Sequence, residues 1–442
     1  MKINIFYLSV VLSLSACENN NGIIPGTADV SNLDNIKKIE FKDVDTYPIG
    51  LYSDVFSEVH YVALESTESS IIGEIEKIAV TNNNDLLVFD YKNKSVLLFD
   101  SIGKFKNRIG IIGHAKNEFI EPLDMVYDEY NNKVIVYDNA KKSLIYYALD
   151  GKFNKSILLK EHIESFEVLD ESHLVLYNGY KGMMDRDVNY NYEIIDTKGH
   201  VKKKFAPYDK TMMAISMTPY PFHKYEKKLY CHIEKTPIVN KITLDKMEPV
   251  FLIDFGTYQL SDRYFINGPE TYNKKVVSLE TNKAATGKFF QTGGYILMTF
   301  ATRGNTPMAF GKIMITPREK LSQPIFYGAL FNDLYGKQSS SNLLYASYGK
   351  VYYALNSESF NSLREFPSNT DVAQIIAGKY RNNAKKVTGE EQSIYNTIAD
   401  VLESTSNPIV INNKEKDLID SLSKSKNPVI QICTLKKDND TH

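Results

Sequence analysis

The sequence predicts an all-β protein, a six-bladed β-propeller with a short C-terminal helical appendage. Three observations predict it: short apolar segments separated by Asn, Asp and Gly, a repeat of 48 residues, and a strand-like segment at each end of the repeats. Segments such as 86–89, 96–99 and 134–137 are rich in β-branched and aromatic residues and are too short for helices. They therefore indicate strands.

The repeat indicates how these strands are arranged. Displacing the chain by 48 residues places Asp90 on Asp138, and nine of the 23 positions from 83 to 105 are then identical. A period of this length with about four strands is typical of a propeller blade, because one small sheet cannot cover both of its apolar faces alone. The segment 66–366 has room for six such units.

The individual blades can be placed in order along the chain. The first two blades contain segments 86–99 and 134–147, which carry the clearest repeat. Weaker copies predict blades three to six, and they lie at 174–196, 229–242, 295–315 and 343–355. The third copy is interrupted by an insertion at 178–191.

Both ends of the repeat region are expected to close the ring. Segment 59–64 precedes the first blade, and a second strand-like segment lies at about 428–435. We expect the two to complete the last blade together. Between about 371 and 425 the apolar spacing becomes helical, which predicts a helical insert. Its two apolar faces consist of Val372, Ile375, Ile376 and Tyr380, and of Ile394, Ile398 and Leu402.

The first 17 residues are expected to be a signal peptide rather than part of the fold. Lys2 precedes an apolar stretch at 3–14 that is too short to span a bilayer. The following Leu14-Ser15-Ala16-Cys17 resembles the lipobox of bacterial lipoproteins, which implies lipidation of Cys17. Residues 18–35 are then a flexible tether, and 36–442 form the propeller domain.

Composition excludes some functions. A net charge of −2 and a pI near 6.5 argue against nucleic acid as a partner, because phosphate binding requires a basic face. Besides Cys17 the chain has only Cys231 and Cys433, which are too few for a disulfide scaffold. We expect two buried thiols, although a disulfide between them stays open. No cofactor and no metal site is predicted.

A family resemblance supports the fold. The segment 110–122, with its Gly-rich turn, acidic and aromatic residues and Pro, resembles the linker of an NHL-type repeat. From 55 to 436 the chain is similar to the six-bladed β-propeller lipoproteins of Gram-negative gut bacteria, which have a lipobox, a turn like 100–105 and a closing strand like 427–429. At 114–118 the usual Gly-Pro-Gly-Glu is degenerate. The resemblance implies the cell envelope and no particular activity. Glu18, directly after Cys17, favours the outer membrane as the expected location.

Candidate ligand-binding residues lie in predicted loops, because loops on a rigid scaffold commonly carry specificity. His114 and Glu118 belong to the first inter-blade loop, and Asp185 and Arg186 belong to the insertion in blade three. Arg303 lies in a hairpin of blade five. These five residues are predicted to rim one mouth of the propeller axis. The alternative is that each is a solvated loop charge. No catalytic residue is predicted.

Several residues could suggest metal binding but have a simpler structural interpretation. Asp90 and Asp138 directly follow equivalent strands, where a carboxylate readily accepts hydrogen bonds from turn amides. Cys231 and His232 are adjacent in a strand, so they point to opposite faces and do not readily share an ion with His223. Methionines that could bind a soft metal more often fill gaps beneath long loops. They are Met183, Met184, Met212, Met213 and Met217.

The leading functional hypothesis is a non-catalytic binding or scaffolding lipoprotein. It would be held at the membrane by its lipid anchor and would present the propeller to a glycan, a peptide or an envelope protein. A metal-dependent lactonase- or lyase-like propeller enzyme and a purely structural envelope protein are the alternatives. The side chains that converge on the axis distinguish these hypotheses, and convergence across blades cannot be deduced from sequence.

Overall fold

The protein is a six-bladed β-propeller, as the sequence predicts. Its structure, a computed structural model, describes the residues 36–44, 46, 48–179, 190–207, 220–232, 237–258, 284–302, 312–333, 337–338, 343–404 and 409–437. Within these ranges, six antiparallel arrays of four strands form the blades.

The first three blades follow one another along the chain, each with four consecutive strands. Blade 1 contains β4 (Ile75–Val80), β5 (Leu86–Asp90), β6 (Ser95–Phe99) and β7 (Phe105–Arg108). Blade 2 contains β8 (Pro122–Asp128), β9 (Lys133–Asp138), β10 (Ser143–Ala148) and β11 (Phe153–Leu158). Blade 3 contains β12 (Ser165–Val168), β13 (His173–Tyr177), β14 (Tyr190–Asp196) and β15 (Val201–Pro207).

Blades 4 and 5 keep this order. Blade 4 contains β16 (Phe222–Tyr225), β17 (Lys228–His232), β18 (Ile238–Ile242) and β19 (Met247–Asp254), and β1 (Lys37–Glu40) pairs in parallel with its outer strand β19. Blade 5 contains β20 (Ala284–Thr292), β21 (Tyr295–Thr302), β22 (Lys312–Pro317) and β23 (Phe326–Tyr327). A small separate sheet contains β2 (Ile49–Leu51), β24 (Ala329–Asn332) and β25 (Lys337–Gln338).

Blade 6 is built from both ends of the described chain. Its inner strands are β26 (Leu343–Ser347) and β27 (Lys350–Leu355), followed by β28 (Val429–Leu435) and finally by β3 (Phe56–Ala63) at the outer edge. β28 therefore lies between β27 and β3 and hydrogen-bonds to both. The chain ends are held together by the ladder of one sheet, which closes the ring.

The blades pack through alternating side chains. Leu87 and Phe89 of β5 face blade 2, where they contact the apolar cluster around Val136. Leu86 and Val88 of the same strand face blade 6. Because β5 buries both of its faces, its first four residues are all apolar. Its last residue, Asp90, is also buried.

The first strand of each blade lies next to the axis. β4 contacts β8 and β26, β8 contacts β12, and β20 contacts β16 and β26. Each first strand begins after an inter-blade linker and ends at the hairpin that leads to the second strand. One end of the axis is therefore surrounded by linkers, and the other by these first hairpins.

Buried aspartates fasten the linkers to the blades. The Asp138 carboxylate accepts hydrogen bonds from the amides of Ile120 and Glu121 in the linker, at 2.7 and 3.2 Å. It also accepts from the amides of Ala140 and Lys141 in the turn. Asp90 makes equivalent bonds in blade 1. The structural interpretation of both carboxylates is confirmed, since their acceptor sites are occupied by backbone amides.

A repeated turn explains the Gly-Lys-Phe of the sequence repeat. Asp100 accepts hydrogen bonds from the amides of Ile102 and Lys104, at 3.0 and 2.8 Å. Between them Gly103 has φ +88°, and a Cβ atom there would lie 2.2 Å from the carbonyl oxygen of Ala63. Any larger residue would be strained and would also collide with the closing blade.

Three helices and one 3₁₀ turn cover the outer side of the small sheet and of blade 6, a short helix precedes β3, and a second 3₁₀ turn follows β19. The bounds are α1 (Tyr52–Val55), α2 (Ala373–Ala384), α3 (Glu390–Ser404), α4 (Asn413–Leu422), and 3₁₀ turns Gly256–Tyr258 and Ser357–Leu363. Within the described ranges, no helix is long and apolar enough to cross a bilayer.

The helical spacing places most, but not all, of its apolar residues correctly. Ile376 and Ile398 are buried in the cluster that joins the helices to Val429 of β28. Ile375 is 42% exposed and is not part of this contact. Ile375 directly precedes Ile376, and a step of about 100° along a helix rotates it off the narrow buried face.

Candidate functional site

The candidate site is a cavity at the hairpin end of the axis, which we call the hairpin cavity. Its volume is about 720 Å³. The wall is formed by first strands and first hairpins from around the ring, including Lys77, Asn82, Glu129, Glu167, Lys224 and Tyr348. A volume of this size suits a ligand of a few rings.

A chain of polar contacts joins three neighbouring first strands beside the cavity. Lys77 of β4 donates to Asp124 of β8 at 2.8 Å. The other carboxylate oxygen of Asp124 accepts from the Ser165 hydroxyl of β12 at 2.6 Å and from the Phe166 amide at 3.2 Å. Because Asp124 and Ser165 are almost wholly buried, these bonds hold blades 1 to 3 in register rather than offering a free nucleophile.

Lys224 is the central cation of the cavity wall. Its ammonium lies 3.3 Å from the Glu129 carboxylate and 3.5 Å from that of Glu167, and 5.4 Å from the centre of the Tyr130 ring. Burial opposes the charged form, but the two carboxylates outweigh it and raise the pKa of Lys224. Lys224 therefore offsets one of the two negative charges that Glu129 and Glu167 contribute from blades 2 and 3.

His223 of blade 4 and Gln291 of blade 5 form an uncharged polar contact between the two blades. The Nε2 atom of His223 lies 3.0 Å from the Nε2 atom of Gln291, and the imidazole stacks on the Tyr230 ring with 5.0 Å between centroids. Burial, together with the nearby His232, lowers the pKa of His223 to about 3. The ring is neutral at physiological pH, so it can accept or donate one hydrogen bond without adding charge.

Tyrosines give the cavity both fixed and free aromatic surfaces. The Tyr127 hydroxyl is held by Asn132 at 2.9 Å, and it accepts from the Asn82 amide at 3.2 Å. Tyr348, at the tip of the blade 6 hairpin, is 87% exposed. An exposed ring at the mouth of a cavity offers an apolar face and a hydroxyl to an incoming ligand.

The sequence-predicted ligand residues lie elsewhere or outside the described ranges. His114 and Glu118 are in the linker between β7 and β8, at the end of the axis opposite the hairpins. Glu118 accepts from the amide of Ala115 at 3.0 Å, which stabilises the loop, and His114 is exposed. Asp185, Arg186 and Arg303 lie outside the described residues, as do the five methionines.

The candidate metal cluster is divided between two blade interfaces. Cys231 packs toward blade 3, in the cluster that contains Tyr192. His223 and His232 face the opposite way, with ring centroids 5.3 and 6.0 Å from that of Phe289 in blade 5. In the part of the chain that the structure describes, no three His, Cys, Asp or Glu residues are placed to hold a metal ion.

The two cysteines of the propeller are free thiols. Cys231 lies in β17 of blade 4 and Cys433 in β28 of blade 6, so they are in different sheets. Burial raises the pKa of each thiol to about 12. They are therefore protonated and inert at neutral pH.

Of the sequence-predicted ligand residues that the structure describes, none lines the hairpin cavity. Lys77 and Glu167 line the cavity, and Asp124 pairs with Lys77. In chain order the three residues are separated by 47 and 43 positions and occupy first strands of successive blades. The repeat period could have suggested this equivalence for Lys77 and Asp124. The contact of Lys224 with Glu129 and Glu167 had no such signal, because it joins blade 4 to blades 2 and 3 across the axis.

Comparison with solved structures agrees with the propeller. A candidate exported protein from Bacteroides fragilis resembles this chain with a TM-score of 0.59 and 15% sequence identity, over 91% of this chain and 99% of that one. A member of the DUF4221 family from Bacteroides vulgatus has a TM-score of 0.46 and 10% identity, over 70% of this chain and 93% of that one. At 15% identity, the likeness to the Bacteroides fragilis protein concerns the fold alone.

Sequence comparison gives the family. No curated protein matches the chain. A family model does match, from residue 37 to residue 434, which is almost the entire propeller with its helical insert. The model describes a domain of unknown function, and the chain belongs to this family, DUF4934.

Proposed function

We propose that this protein is a non-catalytic binding propeller, which holds a polar ligand of a few rings in the hairpin cavity at the cell envelope. The observation that carries the proposal is the wall of the cavity, where first strands from several blades bring tyrosine rings, amides and paired charges around one space of about 720 Å³. Such a wall can hydrogen-bond and stack against a ligand.

The paired state of the charges favours binding over catalysis. A general base or nucleophile needs a reactive group directed at the substrate. Here Lys77 of the wall is held by Asp124 behind it, and Glu129 and Glu167 are held by Lys224. A rigid wall of mutually satisfied groups suits recognition, since little side-chain freedom is lost when a ligand binds.

We also propose that Cys17 anchors the protein to the envelope, with the outer membrane as its location. The lipobox-like Leu14-Ser15-Ala16-Cys17 supports this. A lipoprotein carries more than one acyl chain, and two chains suffice for stable attachment, whereas a single chain binds only marginally. The segment 18–35 would then separate the propeller from the lipid.

Removing the exposed ring of Tyr348 is expected to weaken binding without affecting the fold. In a thermal-shift screen of neutral and acidic oligosaccharides, a bound ligand at a hundred times its Kd should stabilise the wild type by about 2.7 kcal/mol. Tyr348→Ala should lose most of that stabilisation. Tyr91→Ala is the matched control, because Tyr91 is 52% exposed at the linker end of the axis. If a ligand raises the melting temperature of both variants equally, it binds outside the hairpin cavity.

Replacing Cys17 is expected to release the protein from the membrane. In the native host, Cys17→Ser should move the protein from the membrane fraction to the soluble fraction and should abolish incorporation of labelled fatty acid. Cys231→Ser is the control, because this buried thiol cannot be the acylation site. Membrane attachment that survives Cys17→Ser would contradict the lipid anchor.

A further inference from the structure

Glycines occupy two adjoining hairpins in one sector of the cavity rim. The first hairpin of blade 5 is formed by Gly293 and Gly294, and that of blade 6 contains Gly349. A Cβ atom on Gly293 would lie 2.6 Å from the Cα atom of Gly349. The Gly349 amide donates to the Thr292 hydroxyl at 2.7 Å. The two hairpins therefore pack backbone against backbone, and this close contact requires glycine at position 293.

Cations surround this glycine sector. Lys227 in the blade 4 hairpin and Lys350 at the start of β27 both line the cavity. The guanidinium of Arg318, just after β22, lies 4.9 Å from the centre of the Tyr225 ring, which also lines the cavity. Among the described residues, none of these three cations forms an ion pair with a carboxylate.

The acidic residues of the wall are already engaged. Glu129 and Glu167 face Lys224, and Glu226 lies 3.8 Å from Lys228. Glu129 and Glu167 share the single charge of Lys224 and belong to blades 2 and 3. The sector between blades 4 and 6, in contrast, carries the cations Lys227, Lys350 and Arg318. Positive charge at the mouth of a cleft attracts anions, and it raises their local concentration.

We propose that this sector binds the carboxylate of an acidic oligosaccharide, one that contains uronic acid. Lys227 and Lys350 would hold the carboxylate, while the exposed Tyr348 ring would cover a sugar face and Asn82 and Asn84 would bind hydroxyls. Aromatic rings combined with amide groups favour a saccharide over an acidic peptide. The inference rests on the proposed function and specifies the class of ligand.

The experiment compares two trisaccharides that differ only at C6. Calorimetric titration with α-1,4-trigalacturonate should give a Kd at least about tenfold lower than titration with α-1,4-galactotriose, because charge-assisted hydrogen bonds are the stronger kind. The K227Q/K350Q double variant should lose this preference, and added salt should weaken trigalacturonate binding alone. K92Q/K160Q is the matched control, since both lysines are exposed and neither lines the cavity. Melting temperatures of the variants confirm that they are folded.

The possible outcomes separate the two proposals. Equal affinity for both trisaccharides, unaltered by K227Q/K350Q, would overturn the carboxylate site and leave the binding function standing. An acidic tetrapeptide that binds through the same lysines, with no saccharide binding, would assign the sector to peptide carboxylates and overturn the saccharide. No binding of either trisaccharide or of the tetrapeptide, together with no hit in the thermal-shift screen, would overturn the proposed function itself.

Discussion

Ile430→Asp is expected to leave the protein unfolded at room temperature. Ile430 lies in the strand between β27 and β3, is fully buried, and packs in the cluster between blades 6 and 1. An unpaired carboxylate there would cost about 4 kcal/mol or more, which is a large share of the stability of a typical domain. Circular dichroism and limited proteolysis should show loss of β-structure and rapid cleavage.

The control for this prediction is Ile102→Asp. Ile102 lies in the turn between β6 and β7 and is 78% exposed, so the same substitution should alter stability by less than about 0.5 kcal/mol. Equal melting temperatures for the two variants would mean that β28 does not close the ring.

Asp138→Ala is expected to destabilise the propeller by about 2–4 kcal/mol, measured by urea unfolding. The carboxylate accepts hydrogen bonds from four amides, in the linker at Ile120 and Glu121 and in the turn at Ala140 and Lys141. Without the carboxylate, the buried amides lose their acceptor. Each unsatisfied amide costs about 1–3 kcal/mol, and water that enters the site would reduce this cost. The linker between blades 1 and 2 should also become sensitive to protease.

Asp150→Ala provides the comparison for Asp138→Ala. Asp150 also accepts from a turn amide, that of Lys152 at 3.0 Å, but its side chain is about half exposed. Water replaces the lost acceptor there, so the expected destabilisation is below about 1 kcal/mol. A loss as large as that of Asp138→Ala would show that the burial of Asp138 is not the cause.

The architecture could be predicted from sequence because its information is local and repeated. Every blade needs strands that are apolar on both faces, and every turn needs its Asp, Asn or Gly at a fixed place. The equivalence of Asp90 and Asp138 is therefore visible in the sequence itself, as part of the 48-residue repeat. Ile375 is an exception. It fits the helical spacing of apolar residues, but it lies beside the narrow buried face of the helix and is exposed.

The hairpin cavity could not be predicted in the same way. His114 and Glu118 are predicted as ligand residues because loops commonly bind ligands. The hairpin cavity, however, lies at the end of the axis opposite their linker. Lys224 meets Glu129 and Glu167 only because six blades close into a ring. Blade number, strand order and buried turns followed from residue types at short spacing. The composition of the wall around the axis was decided by ring closure, which brings together side chains almost a hundred residues apart, such as Glu129 and Lys224.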